Sequence, residues 1–261
     1  MTSTEYSELT RLALDVAREA GELVKGGYRT RPVASEKRAK DLVTEFDFAS
    51  EALIRKRLLA ATPTIPVVAE EQGGQASART WYCDPLDGTT NFVHGHPYWS
   101  VSIGLYEAGV PTVGAVVAPA LGLWWTCHRG GVALRAGEPC AVSNTPSLGH
   151  ALVATGFPPF RDRVPDNNLG TFVDVMAHVQ DVRRCGSAAI DLCLVADGTY
   201  DGFWERHLNP WDLCAGACIV LGAGGQLTSL DGGTADVVQG QLLATNGLIH
   251  QALLGLLQHR S

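Results

Sequence analysis

Two carboxylates three residues apart, Asp84 and Asp87, sit in the run Trp81-Tyr82-Cys83-Asp84-Pro85-Leu86-Asp87-Gly88-Thr89-Thr90-Asn91-Phe92, with the stiff Pro85 between them. Trp81 to Cys83 reads as a short buried strand, and the Pro and Gly behind it predict a strand that stops and turns. Acids at such an exit suit a hard cation, since Mg²⁺ takes oxygen ligands at about 2.1 Å and commonly shares itself with substrate phosphate. Gly88, Thr89 and Thr90 add backbone N–H groups and hydroxyls that suit phosphate oxygens, the more so where a helix begins. Taken alone, D-x-x-D-G is also the composition of an acidic surface turn. A second apolar strand, Ile65 to Ala69, ends in Glu70-Glu71, and two strand tips ending in carboxylates have the look of an assembled site. Gly186 and the first N–H groups of a helix capped by Ser187 offer another anion seat. Asp212 falls in the first turn of a helix opened by Pro210, where ordinary capping electrostatics is enough to account for it.

The elements that must position these residues follow from the apolar periods. A helical stripe runs over about residues 4–28 through Leu9, Leu12, Ala13, Val16, Ala20, Leu23 and Val24, stopped by Gly26-Gly27. Residues 30–40 are charged and aperiodic and read as a hairpin or mobile loop, with Lys37 and Lys40 solvated or turned toward an anionic site. A second helix is expected over 45–59, facing Phe46, Ala49, Leu53 and Leu58 inward. From Trp99 to Leu134 the period is two, which predicts a mostly antiparallel meander with Trp124 and Trp125 on opposite faces. A second half begins near Ser143. Its strands are expected over 151–155, 182–185, 200–204 (ending in Glu205) and 241–245, and its helices over 169–179, 187–195, after Pro210 and over 248–257.

Composition limits the function. The 261 residues are 46% apolar and carry a formal charge of −7 without a basic block, which argues against nucleic acid as the main ligand. An acidic chain can still take a small phosphate when metal ions supply the positive charge. Met1 to Ser7 is polar and no run of about 18 apolar residues follows, so neither a secretory leader nor a membrane span is expected. Seven cysteines without a C-x-x-C pair predict buried free thiols in a reducing cytoplasm. His94 and His96 could suggest zinc, His207 could shape specificity beside Glu205, and Arg183 and Arg184 precede Gly186. At least one of those arginines is expected to order a loop or a subunit contact. Trp211 reads as packing that fixes Asp212.

With these residues in place the chain resembles the inositol monophosphatase family of Mg²⁺-dependent, lithium-sensitive phosphatases. The first family signature resembles the 81–92 run, and the second resembles Trp211-Asp212-Leu213-Cys214-Ala215-Gly216 continuing to Ala223-Gly224-Gly225. Glu70-Glu71 stands ahead of the first, and Asp41-Leu42-Val43-Thr44 is similar to the family's upstream D-L-V-T. The likeness covers essentially the whole chain in order and spacing.

The resemblance implies two to three Mg²⁺ ions: one on Glu70, Asp84 and the Leu86 carbonyl, one on Asp84, Asp87 and Asp212, and a weaker one leaning on Glu70. It implies that Asp41 and Thr89 orient and deprotonate the attacking water. Substrate-facing segments would be Leu86-Asp87-Gly88-Thr89 and Gly186-Ser187-Ala188, with Glu205 bonding a ring hydroxyl. The layered pattern of helices and strands predicts an α+β chain, which the resemblance sharpens to the α-β-α-β-α sandwich of the inositol monophosphatase and sugar phosphatase type. Its halves, 1–142 with most metal ligands and 143–261 with Asp212 and the specificity residues, would share one cleft, and a homodimer is implied. The expected substrate is a small phosphorylated polyol, inositol 1-phosphate first. Histidinol phosphate (a phosphorylated amino alcohol), fructose 1,6-bisphosphate and 3′-phosphoadenosine 5′-phosphate follow, and a regulatory protein-interaction role is the non-enzymatic rival.

Overall fold

Thr2 starts the first helix with a reciprocal cap: its hydroxyl accepts from Glu5 N (3.3 Å) and the Glu5 carboxylate accepts from Thr2 N (2.8 Å). The computed structural model describes residues 2–38 and 40–258. Helix α1 (Ser3–Lys25) leads to a hairpin of β1 (Ala34–Arg38) and β2 (Asp41–Thr44), so the hairpin reading holds for the described part of 30–40, residue 39 lying outside the described residues. Helix α2 (Glu45–Ala61), β3 (Val67–Ala69), β4 (Arg79–Asp87) and the short α3 (Thr89–Val93) follow. The meander is β5 (Ser100–Glu107), β6 (Val110–Ala118), β7 (Leu123–His128), β8 (Leu134–Arg135) and β9 (Glu138–Pro139). The remainder comprises β10 (Leu152–Thr155), α4 (Leu169–Met176), β11 (Asp181–Arg183), α5 (Ala188–Ala196) and β12 (Gly202–Glu205). It ends with α6 (Pro210–Gly222), β13 (Gln226–Thr228), β14 (Leu242–Thr245) and α7 (His250–Gln258). Among the described residues no helix is long and apolar enough to cross a membrane.

Strands β3 to β9 form a seven-stranded sheet in chain order, antiparallel except where β3 meets β4. The other large sheet has the order β11-β10-β12-β14-β13, parallel at β11-β10-β12 and antiparallel beyond. Alternation along each strand builds the layers. Trp81, Cys83, Ile103 and Ala115 face α1 and α2, while Tyr82, Val116 and Cys127 face α5 and α6. Phe203 and Ala244 of the second sheet close on the same two helices, and Val153, Trp204 and Leu243 meet α4 and α7 on its outer side. The order is α-β-α-β-α.

Two expectations need correction. Strand β4 does not stop at Cys83: it runs to Asp87 and absorbs Pro85 in a register shift against β5, so both acids ride on the strand itself. Helix α2 turns Leu58, Phe46 and Leu53 toward the core as expected, but not Ala49, and much of its sealed face is polar. Ala49 is exposed, Phe46 and Leu53 are half-buried, and the sealed face is Asp47, Ser50, Glu51, Ile54 and Leu58. Ile54 and Leu58 pack on the sheet with Trp81 and Ile103, while Asp47, Ser50 and Glu51 meet the ends of β3 and β4 and the start of α3.

The seat of α6 is cut by glycine. A Cβ on Gly104 would lie 2.6 Å from Ala215 N, and one on Gly114 would lie 2.3 Å from Ala215 O, so the helix rests on bare strand backbone. This close approach carries the first turn of α6, with Asp212, to the end of β4. Trp125 is fully buried while Trp124 is half-buried, with the Arg18 guanidinium 4.4 Å above its ring.

Candidate active site

The ends of β3 and β4, the start of α3, the loop before α5 and the first turn of α6 surround a cleft of about 660 Å³. Glu70, Asp84, Leu86, Asp87, Gly88, Thr89, Gly186 and Asp212 all line it, as does Asp41. Ser187, Ala188 and Glu205 line an adjoining pocket of about 130 Å³ that shares Asp87, Gly186 and Asp212. Residues from 41 to 212 therefore meet in one place.

Each acid is held by a local device. Asp84 accepts from Leu86 N (3.0 Å), the backbone turn that Pro85 enforces. It lines the same cleft wall as Glu70 and Asp212. Asp87 Oδ2 accepts from Ser187 Oγ (2.5 Å) and Ala189 N (3.0 Å) at the start of α5, and from Ser100 Oγ (3.4 Å). Asp212 caps its own helix, accepting from Asn209 N (2.7 Å), yet still faces the cleft. The capping account of Asp212 is thus correct and incomplete. Glu70 accepts from Lys37 Nζ (2.8 Å), which also meets Glu71. Lys37 is therefore turned into the site, while Lys40 pairs with Asp162 (3.1 Å) across the rim.

Crowding of like charges shows in the protonation of these groups. Burial, followed by the charges of Glu70, Asp87 and Asp212, pushes Asp84 well above the carboxylate range. Burial raises Asp87 to about 6 against the bonds from Ser187 and Ala189. Burial, then Glu70, raises Asp212 to about 8. Burial likewise raises Glu70 against Lys37. For Lys37 burial pulls down, but Glu70 and Glu71 outweigh it and hold the ammonium above its ordinary value.

The Thr89 hydroxyl donates to Asp47 Oδ1 (2.9 Å) and to the Leu86 carbonyl (3.0 Å). Its carboxylate partner is Asp47 and not Asp41, which corrects the pairing expected from sequence. Asp41 opens β2 on the cleft rim, whereas Asp47 lies in the first turn of α2, beneath Thr89. Asp47 Oδ2 accepts from Thr44 N (2.8 Å) and Thr44 Oγ1 (2.6 Å), a capping box. Burial raises its pKa, and the Thr44 and Thr89 bonds work against that rise. Thr44-x-x-Asp47 was visible in the sequence as a cap signature, but a cap does not announce a second partner 42 residues on.

Gly88 caps α3 at φ +92°, and a Cβ there would sit 2.9 Å from the Tyr98 carbonyl. Asn91, missed from sequence, donates to Tyr98 O (2.6 Å) and Cys185 O (2.8 Å) and so ties α3 to the loop that holds Gly186. Glu205 ends β12 with 8% of its surface exposed, its carboxylate filling the space a Gly156 side chain would need. Burial, then Asp191, pushes it well above the carboxylate range, against Arg184. Arg184 lines both pockets, while Arg183 pairs with Asp181 (2.5 Å) at the surface. His207 Nε2 lies 2.8 Å from the Asp166 carbonyl, bracing the 160–168 loop. His94 and His96 are exposed.

Among the described residues no three His, Cys, Asp or Glu side chains already close on one point. Their chemistry nonetheless fits a hard divalent cation. The donors are all oxygen, and the repulsion that raises Asp84 is what a cation would relieve.

The layered fold and this cleft define the class as a phosphoric monoester hydrolase. Residues 5–261 match the model of the inositol monophosphatase family. The inositol-1-monophosphatase of Synechocystis is 42% identical over 256 residues, covering 92% of this chain and 86% of that protein. The Nus factor SuhB of Pseudomonas aeruginosa is 40% identical over 260 residues, covering 96% of each. The structure of the inositol monophosphatase from Anabaena superposes with a TM-score of 0.88 at 38% identity, covering 96% of this chain and 95% of that one. The chain belongs to the inositol monophosphatase family.

Proposed function

We propose that this enzyme hydrolyses the phosphate monoester of a small polyol, inositol 1-phosphate first, in the presence of Mg²⁺. The observation that carries the reading is the Thr89 hydroxyl bonded to buried Asp47 on the wall it shares with Asp84 and Asp87. Glu70, Asp84, the Leu86 carbonyl, Asp87 and Asp212 would hold the metal, two to three ions by the family pattern. The metal, when bound, offsets charge on the phosphoryl oxygens and makes water more acidic. Thr89 Oγ1 accepts a proton from the attacking water as it passes its own to Asp47 Oδ1, so the proton finishes on a carboxyl whose burial already favours protonation. Glu205 accepts from a hydroxyl of the leaving alcohol, and Ser187 and Ala188 line the wall beside it. A cytoplasmic homodimer accompanies this reading.

Phosphate release from inositol 1-phosphate, histidinol phosphate, fructose 1,6-bisphosphate and 3′-phosphoadenosine 5′-phosphate, with Mg²⁺ and with chelator, tests it. Inositol 1-phosphate should lead and chelator should abolish turnover. A preference for histidinol phosphate beyond about tenfold in kcat/KM, about 1.4 kcal/mol, would overturn the ranking. Unchanged turnover in chelator would overturn the metal. The likeness to a Nus factor favours a second reading, a regulatory role in the transcription machinery. Asp87→Asn separates the two, because a binding role survives that substitution and a catalytic one does not.

A further inference from the structure

The sealed face of α2 is polar where a packed helix is normally apolar. Asp47, Ser50 and Glu51 are closed off from solvent beside Ile54 and Leu58. Burying a carboxylate is unfavourable unless every lone pair finds a donor, so filling the core does not explain these residues. Each reaches a different part of the cleft floor. Asp47 takes the Thr89 hydroxyl. Ser50 Oγ donates to the Pro85 carbonyl (2.8 Å), between Asp84 and Leu86. Glu51 Oε2 accepts from Glu71 N (2.7 Å) and Oε1 accepts from Gln72 N (3.1 Å). Arg55 Nε donates to the same carboxylate (2.7 Å), while Nη1 donates to Val67 O (2.9 Å) and Nη2 to Gly73 O. The turn carrying Glu70 is thus gripped before, within and after its bend.

We infer that α2 is the ruler of the metal cleft: Ser50, and Glu51 braced by Arg55, set the separation between Glu70 on one strand end and Asp84 to Asp87 on the next, and thereby the affinity for a divalent cation. This rests on the metal-ligand reading above. Glu51 and Ser50 are positioning residues that act through the backbone of the ligands. Groups standing behind metal ligands are worth about 10–100-fold in affinity when lost.

Glu51→Gln keeps the side chain's size but removes the charge facing Arg55 and turns an amide NH₂ toward a backbone N–H. Mn²⁺ binding to the full chain is measured by isothermal titration calorimetry, alongside the Mg²⁺ dependence of phosphate release. The Kd for Mn²⁺ should rise by about 10–100-fold. The Mg²⁺ giving half-maximal activity should rise with it, while kcat at saturating Mg²⁺ stays within about threefold. A lowered Tm with unchanged Mn²⁺ affinity would overturn the inference, since that is all a merely structural role predicts. If Glu51→Gln does not fold, Ser50→Ala carries the test, because it removes only the hydroxyl at Pro85. A several-fold weaker Kd supports the ruler and an unchanged one overturns it. A wild-type chain that binds no divalent cation overturns the metal reading and this inference together. Normal wild-type binding with indifferent variants overturns this inference alone.

Discussion

Replacing Asp47 with Asn tests the proton path and the sequence-based pairing at once. Asp47 Oδ2 caps α2 through Thr44, and Oδ1 alone faces Thr89. An Asn whose carbonyl stays on Thr44 keeps the cap and puts its NH₂ against the Thr89 oxygen, whose own hydrogen can still reach the Leu86 carbonyl (3.0 Å). The fold then loses the Thr89–carboxylate hydrogen bond, about 1.5–3 kcal/mol, and the charge on the two bonds from Thr44, while the site loses the carboxylate that takes the Thr89 proton. Loss of general base catalysis is worth about 10²–10⁴-fold, or roughly 2.7–5.4 kcal/mol of barrier. The assay is steady-state phosphate release from inositol 1-phosphate at saturating Mg²⁺, with Tm from circular dichroism as the control for folding. Asp41→Asn, on the rim, should stay within about threefold of wild type, since it does not touch the Thr89 hydroxyl. An Asp47→Asn enzyme within threefold of wild type, or an Asp41→Asn enzyme equally crippled, would refute the reasoning.

The seat of α6 and the buried His250 give two further outcomes. In Gly114→Ala the new methyl would meet Ala215 O at 2.3 Å, so α6 must retreat by about 1 Å to reach ordinary contact. We expect a stability loss of about 1–3 kcal/mol in denaturant melts. Asp212 moves with the helix, so kcat/KM should fall by about 10²-fold; an active, undisturbed variant would show that the close approach does not seat Asp212. His250 bonds the hydroxyls of Thr228 (3.0 Å) and Thr245 (2.9 Å), and burial holds its pKa below 6.5. The unfolded chain therefore binds the proton first as pH falls, and the stability this neutral His contributes is full above about pH 6.5 and lost below it. The buried acids titrate in the opposite sense, so the measurement is a difference. The Tm gap between wild type and His250→Asn should narrow from pH 7.5 to pH 5.5, and a constant gap would contradict it.

The local signals carried far in this chain. Apolar period and turn chemistry marked the helices, the meander and the strand tips bearing Glu70 and Asp84, because those features depend on neighbours a few residues away. The family motifs named the candidate ligand set for the same reason, as short runs of fixed spacing, and the fold brings those residues to one cleft. What the sequence left open depends on contacts between distant segments. Nothing near Asp47 distinguishes a plain cap from a cap that also receives the Thr89 hydroxyl, and Asp41 lay in the more recognisable motif. Residues 30–40 could be a hairpin or a loop until β1 and β2 paired and Lys37 met Glu70. The polar first half of α2 interrupted the expected apolar stripe because Ser50 and Glu51 bond backbone groups at the ends of β3 and β4, while Ile54 and Leu58 pack on the sheet. By itself the sequence determined which residues could do the chemistry. Which of them touch, and at what distance, was decided by two helices packing against the ends of strands.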